Sequence, residues 1–109
     1  MAGTVNELKP ITRGGQGLIG LNRPTYINAR VLAATVAEAF TVPAGAKYVL
    51  LAANADFYAD FGTTAVTPAA DITDGTSPVF NPSLRMLEGC TSISVVSPTV
   101  CIVTAEFYK

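Results

Sequence analysis

The run "TSISVVSPTVCIVTAEFYK", Thr91 to Lys109, constrains the fold more than any other stretch of the chain. It is dense in β-branched residues and its one break is Ser97-Pro98, so it reads as a hairpin in which "TSISVV" runs in and "TVCIVTAEFY" returns. On that register Ile93, Val95, Val100 and Ile102 share one face, and Cys101, Val103, Ala105 and Phe107 share the other. Both faces are apolar. One can pack against an opposing sheet, while the other needs a cover supplied by another segment or another subunit.

The upstream segments carry the same signature. "FTVPAGAKYVLLAANADFYADFG", Phe40 to Gly62, is two extended runs joined by a β-turn at Val42-Pro43-Ala44-Gly45, with proline at a favoured position. Within it Phe57, Ala59 and Phe61 alternate with Tyr58 and Asp60, the pattern of a half-buried strand. "VLAATVAEAFTV" places Leu32, Val36 and Phe40 at helical spacing, but Leu32, Ala34, Val36, Phe40 and Val42 also form one strand face, and a single strand is the reading adopted. Gly62 to Ser77 is a loop with a turn at Asp74-Gly75. "NPSLRMLEG" fits either one helical turn or a short strand. The fold class is all-β, an antiparallel, jelly-roll-like β-sandwich over residues 31–109, preceded by an extended N-terminal arm over residues 1–30.

The arm differs in kind from the body. Its charges, Lys9, Arg13, Arg23 and Arg30 against Glu7, leave a net of +3, whereas residues 31–84 carry a net of −4. It also holds five of the nine glycines, together with Pro10 and Pro24, so no helix can persist there. Its apolar residues follow no clear period, and such a segment takes its order from whatever it lies on.

With 109 residues the chain makes one domain, able to bury roughly two thirds of its unfolded surface. Only 14% of the residues are charged, against about 25% in an ordinary soluble domain. Some outer surface is therefore expected to be covered by other chains, in a homodimer or homotrimer. The longest clean apolar run, Tyr48 to Ala53, is far shorter than the ~20 residues of a spanning helix. "MAGTVNELKP" lacks the basic and apolar regions of a secretory signal, so synthesis in the cytoplasm is expected.

Chemistry has little to work with. There is no histidine, which removes Ser/His/Asp and Cys/His relays, and no enzymatic activity is expected. Asp56 and Asp60 would sit about 13 Å apart along one strand, too far for a glycosidase pair. "GQGLIG", Gly15 to Gly20, satisfies GxGxxG but has no strand before it and no helix after it, so no dinucleotide is expected. Asp71, Thr73, Asp74 and Gly75 lack the alternating ligands of a calcium loop. Neither a metal nor any other cofactor is expected. Four cations over thirty residues allow a few phosphate contacts and no more, so nucleic acid is not an expected partner. On the hairpin register Cys90 and Cys101 lie beyond the ~7 Å reach of a disulfide, which predicts two free thiols.

"FTVPAGAKYVLLAANADFYADFG", "PAADITDGT", "NPSLRMLEGCTSISVVSP" and the final "CIVTAEFYK" resemble, over residues 31–109, small structural proteins in the virions of tailed bacteriophages. These are similar to the jelly-roll or β-sandwich decoration proteins, also called cement proteins, that bind the outside of the capsid shell. The resemblance implies a location on the capsid exterior of a virion, with the major capsid protein and further copies of the chain as partners. The arm lies outside the resemblance but suits such a role, since thirty extended residues span about 100 Å. On this reading Leu8, Ile11, Arg13, Leu18, Ile19, Leu21, Arg23 and Tyr26 make the capsid or subunit contacts. The alternative is a tail or head-fibre module that recognises host-surface carbohydrate through Tyr48, Tyr58 or Tyr108.

Overall fold

The computed structural model of the chain describes residues 3–8, 10–12 and 18–109, with side chains for 3–8 and 22–109. Its elements are all strands: β1 (Pro10–Thr12), β2 (Leu18–Leu21), β3 (Ile27–Leu32), β4 (Glu38–Thr41), β5 (Tyr48–Ala53), β6 (Tyr58–Asp60), β7 (Val79–Phe80), β8 (Leu84–Met86), β9 (Ser92–Val96) and β10 (Cys101–Tyr108). β1 and β2 pair with each other, and the other eight form two antiparallel four-stranded sheets, ordered β3-β10-β5-β8 and β4-β9-β6-β7.

The topology reduces to one long ribbon. β3 pairs with β10, β4 with β9, β5 with β8 and β6 with β7, so the chain runs out along one side of the ribbon and returns along the other. The long loop of residues 61–78 is the tip of that ribbon. Two further pairings, β10 with β5 and β6 with β9, roll it into a sandwich. This is the jelly-roll arrangement, and within it only the β6–β7 connection stays inside one sheet.

That winding overturns three local readings. The terminal run is not a hairpin, because β9 and β10 lie in opposite sheets and residues 97–100 arch between them. Ser97 is buried in the arch, with its hydroxyl donating to the Asp56 carbonyl at 2.7 Å. The two expected hairpin faces therefore separate: Ile93 and Val95 enter the core from one sheet, while Cys101, Val103, Ala105 and Phe107 enter it from the other. Val100 and Ile102 point away from the core and are exposed.

"VLAATVAEAFTV" is two strands rather than one. Thr35 adopts a left-handed φ of 62°, the Val36 amide closes a turn on the Ala33 carbonyl, and β3 and β4 diverge into separate sheets. The Pro43 turn is shifted by one residue, since the Ala46 amide donates to the Pro43 carbonyl. That puts Gly45, with φ of 82°, at the turn position that demands a positive φ. It too joins opposite sheets. "NPSLRMLEG" resolves as the short strand β8.

Alternation sets the buried residues of β5, β6 and β10. Phe57 and Ala59 are buried on one side of β6, as the spacing predicted, and the core gathers them with Leu32, Phe40, Val49, Ile93 and Phe107. Cys90 and Cys101 are both free thiols, as predicted. The sandwich sheet begins at Ile27, four residues before Val31. Ahead of it, the Phe107 amide bonds the Tyr26 carbonyl, and beyond that point Asn6 to Leu8 take over the edge of β10 through Lys109 N–Asn6 O and Leu8 N–Lys109 O bonds. Both described flanks of the arm thus lie on the chain's own body.

Candidate protein-binding face

Each sheet has an inner face in the core and an outer face turned away from it, and the two outer faces differ. On the β4-β9-β6-β7 sheet the loop of residues 61–78 folds back over the strands. The Ala65 amide donates to the Ser94 hydroxyl at 2.9 Å, Ala65 is buried, and Val96 is only 2% exposed although it pairs with the outward Tyr58. Asp60 anchors the start of that loop by accepting from the Gly62 and Thr63 amides and the Thr63 hydroxyl. The Thr63 amide, first among these contacts, holds the Asp60 carboxyl below the usual carboxylate range.

Beyond the end that carries Tyr108, the outer face of the β3-β10-β5-β8 sheet is open among the described residues. Inward positions are marked by the burial of Leu32, Val103 and Leu51, so the register places their neighbours outward in successive rows. Val31 sits beside Ile102; Ala29 beside Thr104 and Ala52; Ile27 beside Glu106, Leu50 and Leu84; Tyr108 beside Tyr48 and Met86. A single charge, Glu106, stands in these rows. Val31 is 71% exposed, Met86 62%, Ile27 53% and Ile102 43%. Sequence reasoning anticipated an apolar outer face on the terminal strand, but not that β3, β5 and β8 would extend it across a whole sheet.

The described side chains of the arm cover one end of this face. Tyr108 points outward yet is 1% exposed, and its hydroxyl donates to the Asn22 carbonyl at 3.1 Å. Burial first, and the neighbouring Glu106 carboxylate second, push the Tyr108 phenol up from its ordinary value. Among the residues expected to make contacts, Tyr26 is half-buried and meets Phe107 edge-on at 6.0 Å, and Leu8 is half-buried with its amide on Lys109. Arg23 is exposed. Arg13 lies outside the described residues, and Ile11 in β1 and Leu18, Ile19 and Leu21 in β2 are described by backbone alone. Of the eight, the side chains of Leu8, Arg23 and Tyr26 lie within the described residues. Of the three tyrosines named for carbohydrate, Tyr108 is buried, Tyr48 is half-buried on the open face, and Tyr58 pairs with Phe80 at 5.1 Å on the other sheet.

Asp56 and Asp74, like Asp60, serve the scaffold. Asp56 accepts from the Asn81 side chain at 3.0 Å, and Asp74 accepts from the hydroxyl and amide of Thr76 across the turn at Gly75. Among the described residues no three His, Cys, Asp or Glu side chains come together as metal ligands, and no helix is long and apolar enough to cross a membrane. No protein-family model, curated protein or solved structure matches the chain.

Proposed function

We propose that this chain is a structural protein of a phage virion that binds the outside of the capsid shell and stabilises it, attaching through the outer face of the β3-β10-β5-β8 sheet. The observation that carries the proposal is the asymmetry of the sandwich: on one outer face the chain's own loop covers β9 and leaves Phe80 exposed at the edge, and the other presents Val31, Ile27, Ile102 and Met86 with one charge among them. Covering these four would contribute about 1 kcal/mol or more each. That is a modest interface per copy, but repeated over a shell it suits a cement protein, whose effect comes from number. The choice of a capsid as partner rests on the sequence resemblance over residues 31–109.

The test is co-sedimentation of the purified chain with undecorated shells, comparing wild type with a Val31→Lys, Met86→Lys double variant. Both side chains are exposed, so the variant should melt with the wild type and fail to pellet with shells. Wild-type pelleting by the double variant removes the open face from the proposal. Failure of the wild type to bind shells, together with micromolar binding to a glycan array, transfers the function to carbohydrate recognition.

A further inference from the structure

Among the described residues, the sheet that carries the open face also has an unblocked edge. The four edge strands of the sandwich are β3, β8, β4 and β7. β8 has three residues and carries Arg85, β7 has two, and β4 has four with Glu38 at its start. Short length and charge are the usual protections of an edge. β3 has six residues in unbroken register with β10, all but Leu32 exposed, and no proline. Its one charge, Arg30, is folded back, with Nε donating to the Ala39 carbonyl of β4 at 2.8 Å.

Backbone parity shows which groups are unpaired. The Phe107 amide bonds the Tyr26 carbonyl, so even-numbered residues of this strand aim their N–H and C=O groups at β10. Ile27, Ala29 and Val31 therefore aim theirs at the open edge. The edge is closed before Ile27, because the Thr25 hydroxyl donates to the Thr4 carbonyl and a Cβ on Gly3 would collide with the Thr25 carbonyl. After Leu32 the turn at Ala33–Val36 ends it. The free segment, Ile27 to Val31, is centred on Ala29.

We infer that β3 pairs antiparallel with β3 of a second copy about a twofold axis at Ala29. In that register Ala29 faces Ala29 of the second copy and Ile27 faces its Val31, and all three residues exchange N–H···O bonds with the partner strand. Moving the axis to Arg30 would set the two arginines against each other. With the axis at Ala29, Arg30 faces Asn28. The pairing also joins the two open faces into one apolar sheet of eight strands. A second copy is the occupant because this segment complements itself in length, polarity and hydrogen-bonding parity. The contact offers about ten residues a side, from β3 and the adjoining β4, against the roughly 20–30 of a standard interface, so a dissociation constant on the order of 0.1 mM is expected.

This inference stands apart from the shell proposal and is tested without shells. Sedimentation of the full chain from micromolar concentrations to about 1 mM should show mass rising from one chain towards two. Ala29→Pro removes an N–H that makes no bond to β10 and should weaken association at least tenfold. Ala29→Lys, which leaves the backbone intact and should melt like the wild type, should weaken it similarly by setting like charges across the axis. Mixing Ala29→Lys with Ala29→Glu should restore dimers. A chain that stays monomeric throughout the range, one that forms trimers, or one whose association ignores both Ala29→Pro and Ala29→Lys overturns the inference.

Discussion

Replacing Tyr26 with alanine tests whether the residues ahead of β3 belong to the body or to whatever the body binds. The Tyr26 ring is half-buried against the core and meets Phe107 edge-on. Full truncation of a buried aromatic costs about 3–5 kcal/mol, and half-burial brings that to about 2. The edge-on pair adds about 0.5–1.5, so a loss of about 2.5–3.5 kcal/mol is expected. The backbone bond from the Phe107 amide to the Tyr26 carbonyl survives the substitution and adds nothing to the loss. For a chain of this size that is a fall in melting temperature of roughly 10 °C, measured by circular dichroism and checked by urea unfolding. Arg23→Ala, at an exposed position close by, should stay within about 0.5 kcal/mol of wild type. If Tyr26→Ala melts within 1 °C or so of wild type yet fails to pellet with shells, Tyr26 is a docking residue and the packing argument fails.

Ser94→Ala should cost about 1–3 kcal/mol by urea unfolding, because it strands the Ala65 amide under the loop; no loss would mean that the loop is not held there. The Asp60 carboxyl titrates below its unfolded value, so its contribution to stability is present above the ordinary carboxylate range and disappears as pH falls through the folded value. The stability gap between wild type and Asp60→Asn should accordingly shrink as pH drops from 7 towards 3, and a constant gap would contradict this. The Tyr108 phenol titrates above its unfolded value, so its contribution is full below about pH 10 and fades as pH rises through the folded value. Tyr108→Phe should flatten that alkaline loss, read from urea midpoints, and an unchanged slope would place the loss elsewhere.

What was legible in the sequence was the orientation of side chains within each strand. Phe57 and Ala59 inward, Tyr58 outward, and the grouping of Cys101, Val103, Ala105 and Phe107 on one face all follow from alternation, because adjacent side chains in a strand must point to opposite faces. Pairing was not legible. A hairpin and an arch between sheets use the same turn residues and the same alternation, so Ser97-Pro98 and Pro43-Ala44-Gly45 read as hairpins. Thr35 concealed the break between β3 and β4, since a threonine at positive φ carries none of the signal of glycine or asparagine. The open face was half legible: that one apolar face of the terminal strand needs a cover was readable, but the union of Ile102 with Val31, Leu50 and Met86 depends on β10 lying between β3 and β5. The docking of Tyr26 and Leu8 on the body left no trace in spacing, because the arm has no period from which an inward side could be read.

The rolled ribbon also orders events during synthesis. β10, the last of the ten strands to be made, sits in its sheet between β3, one of the early ones, and β5. Until Cys101 to Tyr108 have left the ribosome, neither β3 nor β5 has its main partner, and the pairing of Leu32 with Cys101 closes a loop of nearly seventy residues. Folding of this sheet should therefore wait for β10 and be slow, in the range of milliseconds to seconds typical of non-local β-topologies. Through that interval the nascent chain carries its apolar strands uncovered, and its yield in a cell should depend on chaperones that hold such segments apart.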